Sequence, residues 1–331
     1  MRTTTSGNIL DDVLNEMSSD EFLNEYWPNH FLHNKGNLER FFSVPGIENI
    51  SSLENILKIY KNPVMVVGDA IIEETGGILN KFLVPPEEAM SWYERGAALE
   101  FDFTDIFIPE LRESISKLRS LLGLPEGTMA KAVLYAAKES AGFSAHFDAY
   151  CNFIFQLKGK KKWKLAENFN TVNPLQHYEL IEAPHLPDPL KSYWNGDFPD
   201  ENLSNGRELI LDTGSFLFLP RGCWHSTSSS EETIALNFTF GQPAWLDLIL
   251  IELRNRLIQK DEWRELVNID LLDENERKKV EEKLKSMINN LPNDFKGISV
   301  GDILARKKDD LDVYQSTQLV VRQLMSIKDG F

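Results

Sequence analysis

The segment Gly142-Phe143-Ser144-Ala145-His146-Phe147-Asp148, continued by Cys151-Asn152-Phe153-Ile154-Phe155-Gln156-Leu157 and by Gly159-Lys160-Lys161-Lys162-Trp163, constrains this chain more than any other. His146 and Asp148 are two residues apart, so on a strand both side chains leave by the same face. The apolar run from Asn152 breaks at Gly159 and restarts as a basic and aromatic stretch, which predicts strand, tight turn, strand. An isolated His-x-Asp is common by chance, and a strand histidine satisfied by a nearby aspartate is its ordinary explanation. A second motif changes that weighing. Leu219-Pro220-Arg221-Gly222-Cys223-Trp224-His225 follows a Gly214-Ser215 turn and sets His225 at the end of a different strand, 77 residues beyond Asp148.

Two imidazoles and one carboxylate carried on strands leave several positions of a bound metal open, the facial donor set of non-haem Fe(II) centres. Zinc accepts similar donors. The zinc-protease pattern needs two imidazoles four residues apart on a helix with a glutamate base, and no such spacing occurs, so iron is preferred. His177 and His185 fall in a Pro-rich stretch, and His30 and His33 lack a carboxylate or cysteine at ligand spacing; none of the four is taken as a ligand. Lys161 sits just past the turn on an aromatic-rich strand, where an inward ammonium needs an anionic partner. Asn152 and Asn237 are amides inside otherwise apolar strands; buried amides need partners, which a carboxylate-bearing ligand could supply.

The predicted fold is mainly β, a jelly roll (double-stranded β-helix) with flanking helices and a C-terminal helical extension. Residues 1–125 read as a mixed helix and strand segment packing on the barrel. They include a helix from Ser18 to Tyr26, a helix over Ile47–Tyr60, a strand at Pro63–Val67, a helix over 85–95 and an amphipathic helix from Ile108 to Leu122. The first 17 or so residues are polar and expected to be loosely held. Residues 126–243 form the core, with short strands broken by Gly, Pro, Asn and Ser. A 166–206 insertion rich in Pro, Asn and Asp is expected to have little regular structure, as binding loops and lids do. From 244 to 331 the text is helical, with amphipathic stretches from Trp245, from Glu274 and over 311–328. This tail carries no chemical group of note and is expected to pack or to support a homodimer.

Composition narrows the function classes. With 42% hydrophobic residues and 20 Phe, the chain is that of a globular protein. It lacks an apolar run long enough for a membrane span and an N-terminal signal pattern. Only Cys151 and Cys223 occur, so a reducing, cytoplasmic setting is expected. A net charge of −16 argues against a general nucleic-acid binder and suits a basic partner.

The stretch from Tyr135 to Trp163, together with Leu219 to Phe240, resembles the JmjC branch of the Fe(II) and 2-oxoglutarate-dependent oxygenases, a cupin-like family. Within it the similarity is greatest to the ribosomal oxygenases and to the asparaginyl hydroxylase of hypoxia-inducible factor. The shared pattern is Gly142, His146 and Asp148, the strand Phe153 to Gln156, then Gly159, Lys161 and Trp163, and the approach Leu-Pro-Arg-Gly-Cys-Trp to His225. About a third of the chain carries it. The resemblance implies that His146, Asp148 and His225 ligate Fe(II) and that Lys161 pairs with the distal carboxylate of 2-oxoglutarate. It implies that Asn152 and Asn237 lie beside metal and cosubstrate, and that Tyr135 stands on a strand supplying a hydroxyl. Where the asparaginyl hydroxylase has Thr, this chain has Phe143, so Ser144 or Tyr135 is the candidate for the cosubstrate's second hydroxyl partner. The implied activity is hydroxylation by O2 of a side chain in a protein or peptide, basic ones being favoured. Alternatives are a small-molecule or natural-product hydroxylase, a tRNA-base hydroxylase, or a non-catalytic metal-binding cupin acting as a binding module. Histone demethylation is disfavoured by the absence of a reader module or basic tail.

Overall fold

The computed structural model describes residues 9–14, 17–50, 52–77, 79–125, 127–267 and 273–304. The chain begins with α1 (Ile9–Leu14), α2 (Ser19–Glu25) and β1 (Leu32–Asn34), followed by two short 3-10 turns. Next come α3 (Leu53–Ile59), β2 (Val64–Val67), α4 (Asp69–Glu74), β3 (Lys81–Val84), α5 (Pro86–Glu94), β4 (Ala98–Phe101) and α6 (Pro109–Leu121). The strand-rich part holds β5 (Met129–Ala137), β6 (Gly142–Phe147), β7 (Cys151–Lys158), β8 (Lys161–Ala166) and β9 (Tyr178–Glu179). A short α7 (Asp188–Lys191) then leads to β10 (Arg207–Leu211), β11 (Phe216–Leu219), β12 (Trp224–Ser229) and β13 (Thr233–Gly241). Helices α8 (Trp245–Leu257), α9 (Glu274–Lys296) and α10 (Val300–Leu304) close the described chain.

Antiparallel pairing builds two sheets, ordered β1-β11-β7-β13-β5-β4-β2-β3 and β10-β8-β12-β6-β9. Strands alternate between the two sheets in the manner of a double-stranded β-helix, as the sequence predicts. The helical segment forms a separate compact unit beginning at Pro243. Within it α8 touches both α9 and α10. The stretch 311–328, expected to be helical, lies outside the described residues. Among the described residues no helix is long and apolar enough to cross a membrane.

Strand β7 is buried at every position but its last. It runs between β11 and β13, and its Phe153 and Phe155 rings pack on Phe216, Phe218, Phe238 and Phe240. Strand β8 instead alternates, with Lys161, Trp163 and Leu165 inward and Lys162 exposed. Gly159 makes the β7–β8 turn at φ 71°, and a Cβ there would lie 2.0 Å from the carbonyl oxygen of Glu232, so both conformation and space demand glycine. At Gly142 the demand is for space alone: a Cβ would meet the Thr227 carbonyl oxygen of β12 at 1.9 Å.

Helix α2 starts where expected, with the Ser18 hydroxyl accepting from the Glu21 amide at 3.2 Å. Helix α6 buries Leu111, Ile115 and Leu118 along one stripe. Of the first 17 residues, which were expected to be loosely held, 9–14 form α1, whose Ile9, Leu10, Val13 and Leu14 make an apolar face buried in the main core; residues 1–8 lie outside the described residues. The helix expected over Ile47–Tyr60 is interrupted: Ile47–Asn49 is a 3-10 turn and α3 begins afresh, its Ser52 hydroxyl capping the Asn55 amide. Strands β3 and β4, which periodicity did not reveal, extend the larger sheet beyond β5.

A candidate metal centre and its cavity

His146 and His225 are register partners on β6 and β12, with ring centroids 4.0 Å apart. Asp148 follows β6 directly, and its backbone carbonyl accepts the Gly222 amide at 2.8 Å, which ties the Pro-Arg-Gly turn to the His-x-Asp segment. The ligand atoms of His146, Asp148 and His225 lie within 4.8 Å of one another. His146 Nδ1 is 2.7 Å from the Ser144 carbonyl, and His225 Nδ1 is 2.9 Å from the Cys223 carbonyl. Each Nδ1–H therefore donates to backbone, and each Nε2 keeps its lone pair for a metal. Burial pushes the His146 pKa down to about 3, with His225 adding to it, and lowers that of His225 as well. Asp148 stays ionised despite burial, because His177 and the two triad imidazoles hold its pKa well below the usual carboxylate range. Two neutral imidazoles and one carboxylate are a donor set that fits a divalent first-row metal.

The triad opens into a cavity of about 340 Å³. Lys161, Asn152, Asn237 and Tyr135 all line it. Lys161 is 3% exposed and its side chain has no ion pair or hydrogen bond among the described residues; its ammonium lies 5.2, 5.9 and 6.0 Å from the ring centres of Phe143, Tyr135 and Trp163. Burial pushes its pKa down to about 8. Its neighbours Lys158, Lys160 and Lys162 are exposed and pair with Glu232, Asp212 and Glu208. Asn152 donates to Asp148 Oδ2 at 2.9 Å and accepts from the Thr239 hydroxyl at 2.7 Å, so its amide orients the carboxylate. The Asn237 Oδ1 is buried without a hydrogen-bond partner among the described residues. Trp163 stacks on His225, at 5.7 Å between centroids and 18° between planes.

Other cavity residues escaped the reading of the sequence. Thr227 stands opposite Phe143, accepts its amide at 3.1 Å and puts a hydroxyl on the cavity wall, beside Ser144 and Tyr135. Its signal was its position two residues beyond His225. Glu100 on β4 is the register neighbour of Tyr135 and faces the cavity with no ion pair among the described residues. Burial, with Asp102 adding, raises its pKa to about 7. A charged residue inside Ala-Leu-Glu-Phe is the same signal that marked Asn152. Nearby, Lys131 pairs with Asp102 at 2.6 Å. His177 comes from the insertion: Nδ1 is 3.0 Å from Asp148 Oδ1 and Nε2 is 3.2 Å from Glu179 Oε1. Burial alone would lower its pKa, yet the hydrogen bonds to Asp148 and Glu179 outweigh burial and raise it to about 9. No periodicity pointed to it.

A JmjC domain model matches residues 115–248. The chain is 53% identical over 320 residues to the uncharacterized protein YxbC of Bacillus subtilis (strain 168), covering 96% of this chain and 97% of that one. The chain belongs to the JmjC family. This JmjC protein is also 22% identical over 248 residues to a bifunctional lysine-specific demethylase and histidyl-hydroxylase, NO66, of Drosophila mojavensis. That alignment covers 73% of this chain and 26% of the relative, so the JmjC chain matches about a quarter of that protein's length. In fold it is similar to Escherichia coli ribosomal oxygenase YcfD, with a TM-score of 0.50 at 16% identity, over 85% of this chain and 69% of that one.

Proposed function

We propose that this protein is an Fe(II) and 2-oxoglutarate-dependent dioxygenase that hydroxylates a side chain of a protein or peptide. One observation carries the reading: an open-faced triad of His146, Asp148 and His225 shares its cavity with a buried ammonium, Lys161, that has no anionic partner among the described residues. An unpaired charge in such a place is costly and is stabilised when a ligand brings the opposite charge. Iron and 2-oxoglutarate, when bound, supply the chemistry by which O2 oxidises a C–H bond while the cosubstrate becomes succinate and CO2.

The chain's own residues have separable tasks in this reading. His146, Asp148 and His225 hold the metal, and Asn152 fixes the carboxylate. Lys161 forms a charge-assisted bond to the cosubstrate's distal carboxylate, worth about 1.5–3 kcal/mol in a water-poor pocket. Tyr135 and Thr227 offer hydroxyls to the same carboxylate, and Asn237 offers an amide nearer the metal. Phe143 and Trp163 keep water from the ion pair. Glu100, on the opposite wall, gives a basic side chain of the substrate a counter-charge. The relatives whose printed names denote histidyl-hydroxylase and ribosomal oxygenase support a protein substrate. Anaerobic addition of Fe(II) and 2-oxoglutarate is expected to give a visible charge-transfer band. In air, extract peptides are expected to gain one oxygen atom with matching succinate. Absence of the band from the native protein, or its persistence at unchanged cosubstrate affinity in Lys161→Ala, would overturn the assignment.

A further inference from the structure

The insertion between β8 and β10 is rich in Pro, Asn and Asp, and a loop of that make-up ordinarily keeps its polar groups in solvent. At one point it does the opposite. Strand β9 pairs with β6 so that Glu179 stands opposite His146 and Tyr178 opposite Phe147. The Tyr178 ring is buried among Phe147, Trp194 and Trp224, and its hydroxyl donates to the His185 carbonyl at 3.0 Å. These contacts anchor the insertion beside the triad. His177, one residue before β9, is left with its ring between two carboxylates, Asp148 on one side and Glu179 on the other. Glu179 is held in turn from the N-terminal region, by an ion pair with Lys81 and by the Asn80 amide at 3.4 Å. A continuous polar chain thus runs from β3 through the insertion to Asp148.

Asp148 is constrained from both sides by this arrangement. Oδ1 is taken by His177, whereas Oδ2 accepts from Asn152 and faces His225 Nε2 at 3.8 Å. Each oxygen thus accepts one hydrogen bond and keeps acceptor capacity, the two bonds oppose rotation of the carboxylate, and Oδ2 is the atom that faces His225. We propose that the insertion is a structural part of the metal site, and that it acts by delivering His177 as the positioning residue that fixes Asp148 for metal binding. This rests on the triad holding a metal, as the proposed function requires. It goes beyond that function in giving the insertion a task other than covering the cavity. Partners of this kind typically change metal affinity about 10–100-fold when removed. Linkage adds a second consequence: a metal that binds better with His177 in place must itself favour the docked insertion.

The full-length protein is titrated anaerobically with Co(II), read by visible absorption, without cosubstrate or turnover. His177→Phe removes both hydrogen bonds. His177→Asn keeps an amide nitrogen at the same bond distance from the backbone as Nδ1 and so can still reach Asp148. The expected result is a Co(II) affinity about 10–100-fold weaker in His177→Phe, with most of the loss restored in His177→Asn. In parallel, Co(II) is expected to slow tryptic cleavage after the exposed Lys191 in the native protein and in His177→Asn, but not in His177→Phe. Native Co(II) affinity in His177→Phe overturns the proposal while leaving the proposed function intact. So does an equal loss in His177→Asn and His177→Phe, since bulk in the loop and not the hydrogen bond would then matter. If the native protein binds no Co(II), both readings fail together.

Discussion

The two sheets of the β-helix are made by different rules, and the site lies where they face each other. In the larger sheet, β7 and β13 are apolar and buried on both faces, with phenylalanine rings filling one side and the amides Asn152 and Asn237 reaching the cavity. In the smaller sheet β8 alternates, so that one inward lysine lies between two that meet solvent. The triad imidazoles belong to the smaller sheet, and the groups that brace or face them come largely from the larger one. The difference teaches a division of labour: the larger sheet holds most of the buried aromatic packing, and the smaller one carries the two imidazoles and the buried lysine of the candidate site.

That division can be broken by substitution. The largest effect is expected at His225. His225→Ala should reduce hydroxylation to background and weaken Co(II) binding by more than about 100-fold, beyond the cost of losing an outer partner, with the fold retained by circular dichroism. The converse is expected in the larger sheet. Phe153→Ala should cost about 3–5 kcal/mol in urea unfolding while the folded fraction keeps its metal affinity, because a fully buried ring is removed and no ligand is touched. Equal effects of the two changes on metal affinity would erase the distinction between the sheets.

Lys161 sharpens the comparison. Lys161→Met should weaken 2-oxoglutarate binding about 10–100-fold by calorimetry, yet leave the ligand-free protein as stable or more so, since a buried unpaired ammonium is replaced by an apolar chain. The pH dependence has a definite sign. Its folded pKa of about 8 lies below the ordinary 10.5, so the unfolded chain binds more protons between these values. The cost of burying the charge is therefore fully present below pH 8 and is relieved as pH rises towards 10.5, by up to about 3 kcal/mol. The stability difference between the native protein and Lys161→Met should narrow over that window. Lys160→Met, one residue away but exposed, should shift stability by no more than about 0.5 kcal/mol. An effect at position 160 as large as that at 161 would mean that burial of the lysine at 161 is not what sets it apart.

Much of this architecture was legible in the order of residues. The match to the family's motif selected Lys161 from a run of lysines, and polar residues inside apolar strands selected Asn152 and Asn237, because the cost of burying an amide is a local fact. The strands β3 and β4 were missed because Lys-Phe-Leu-Val and Ala-Leu-Glu-Phe each carry a charged residue, so neither offers the unbroken apolar run that marked the equally short β2. Glu100 was lost with them.

His177 marks the other boundary. Its stretch carries no repeat and no ligand spacing, and its partners lie 29 residues back at Asp148 and two ahead at Glu179. The sequence by itself determined that His146 and Asp148 would leave their segment by one face, since a strand fixes the direction of each side chain relative to its neighbours. Only the tertiary structure decided that β6 and β12 would pair with His146 opposite His225, that Glu100 would face them across the cavity, and that an insertion would return to hold Asp148. Those are contacts between distant segments, set by the closing of two sheets and a loop in space, and no local period encodes them.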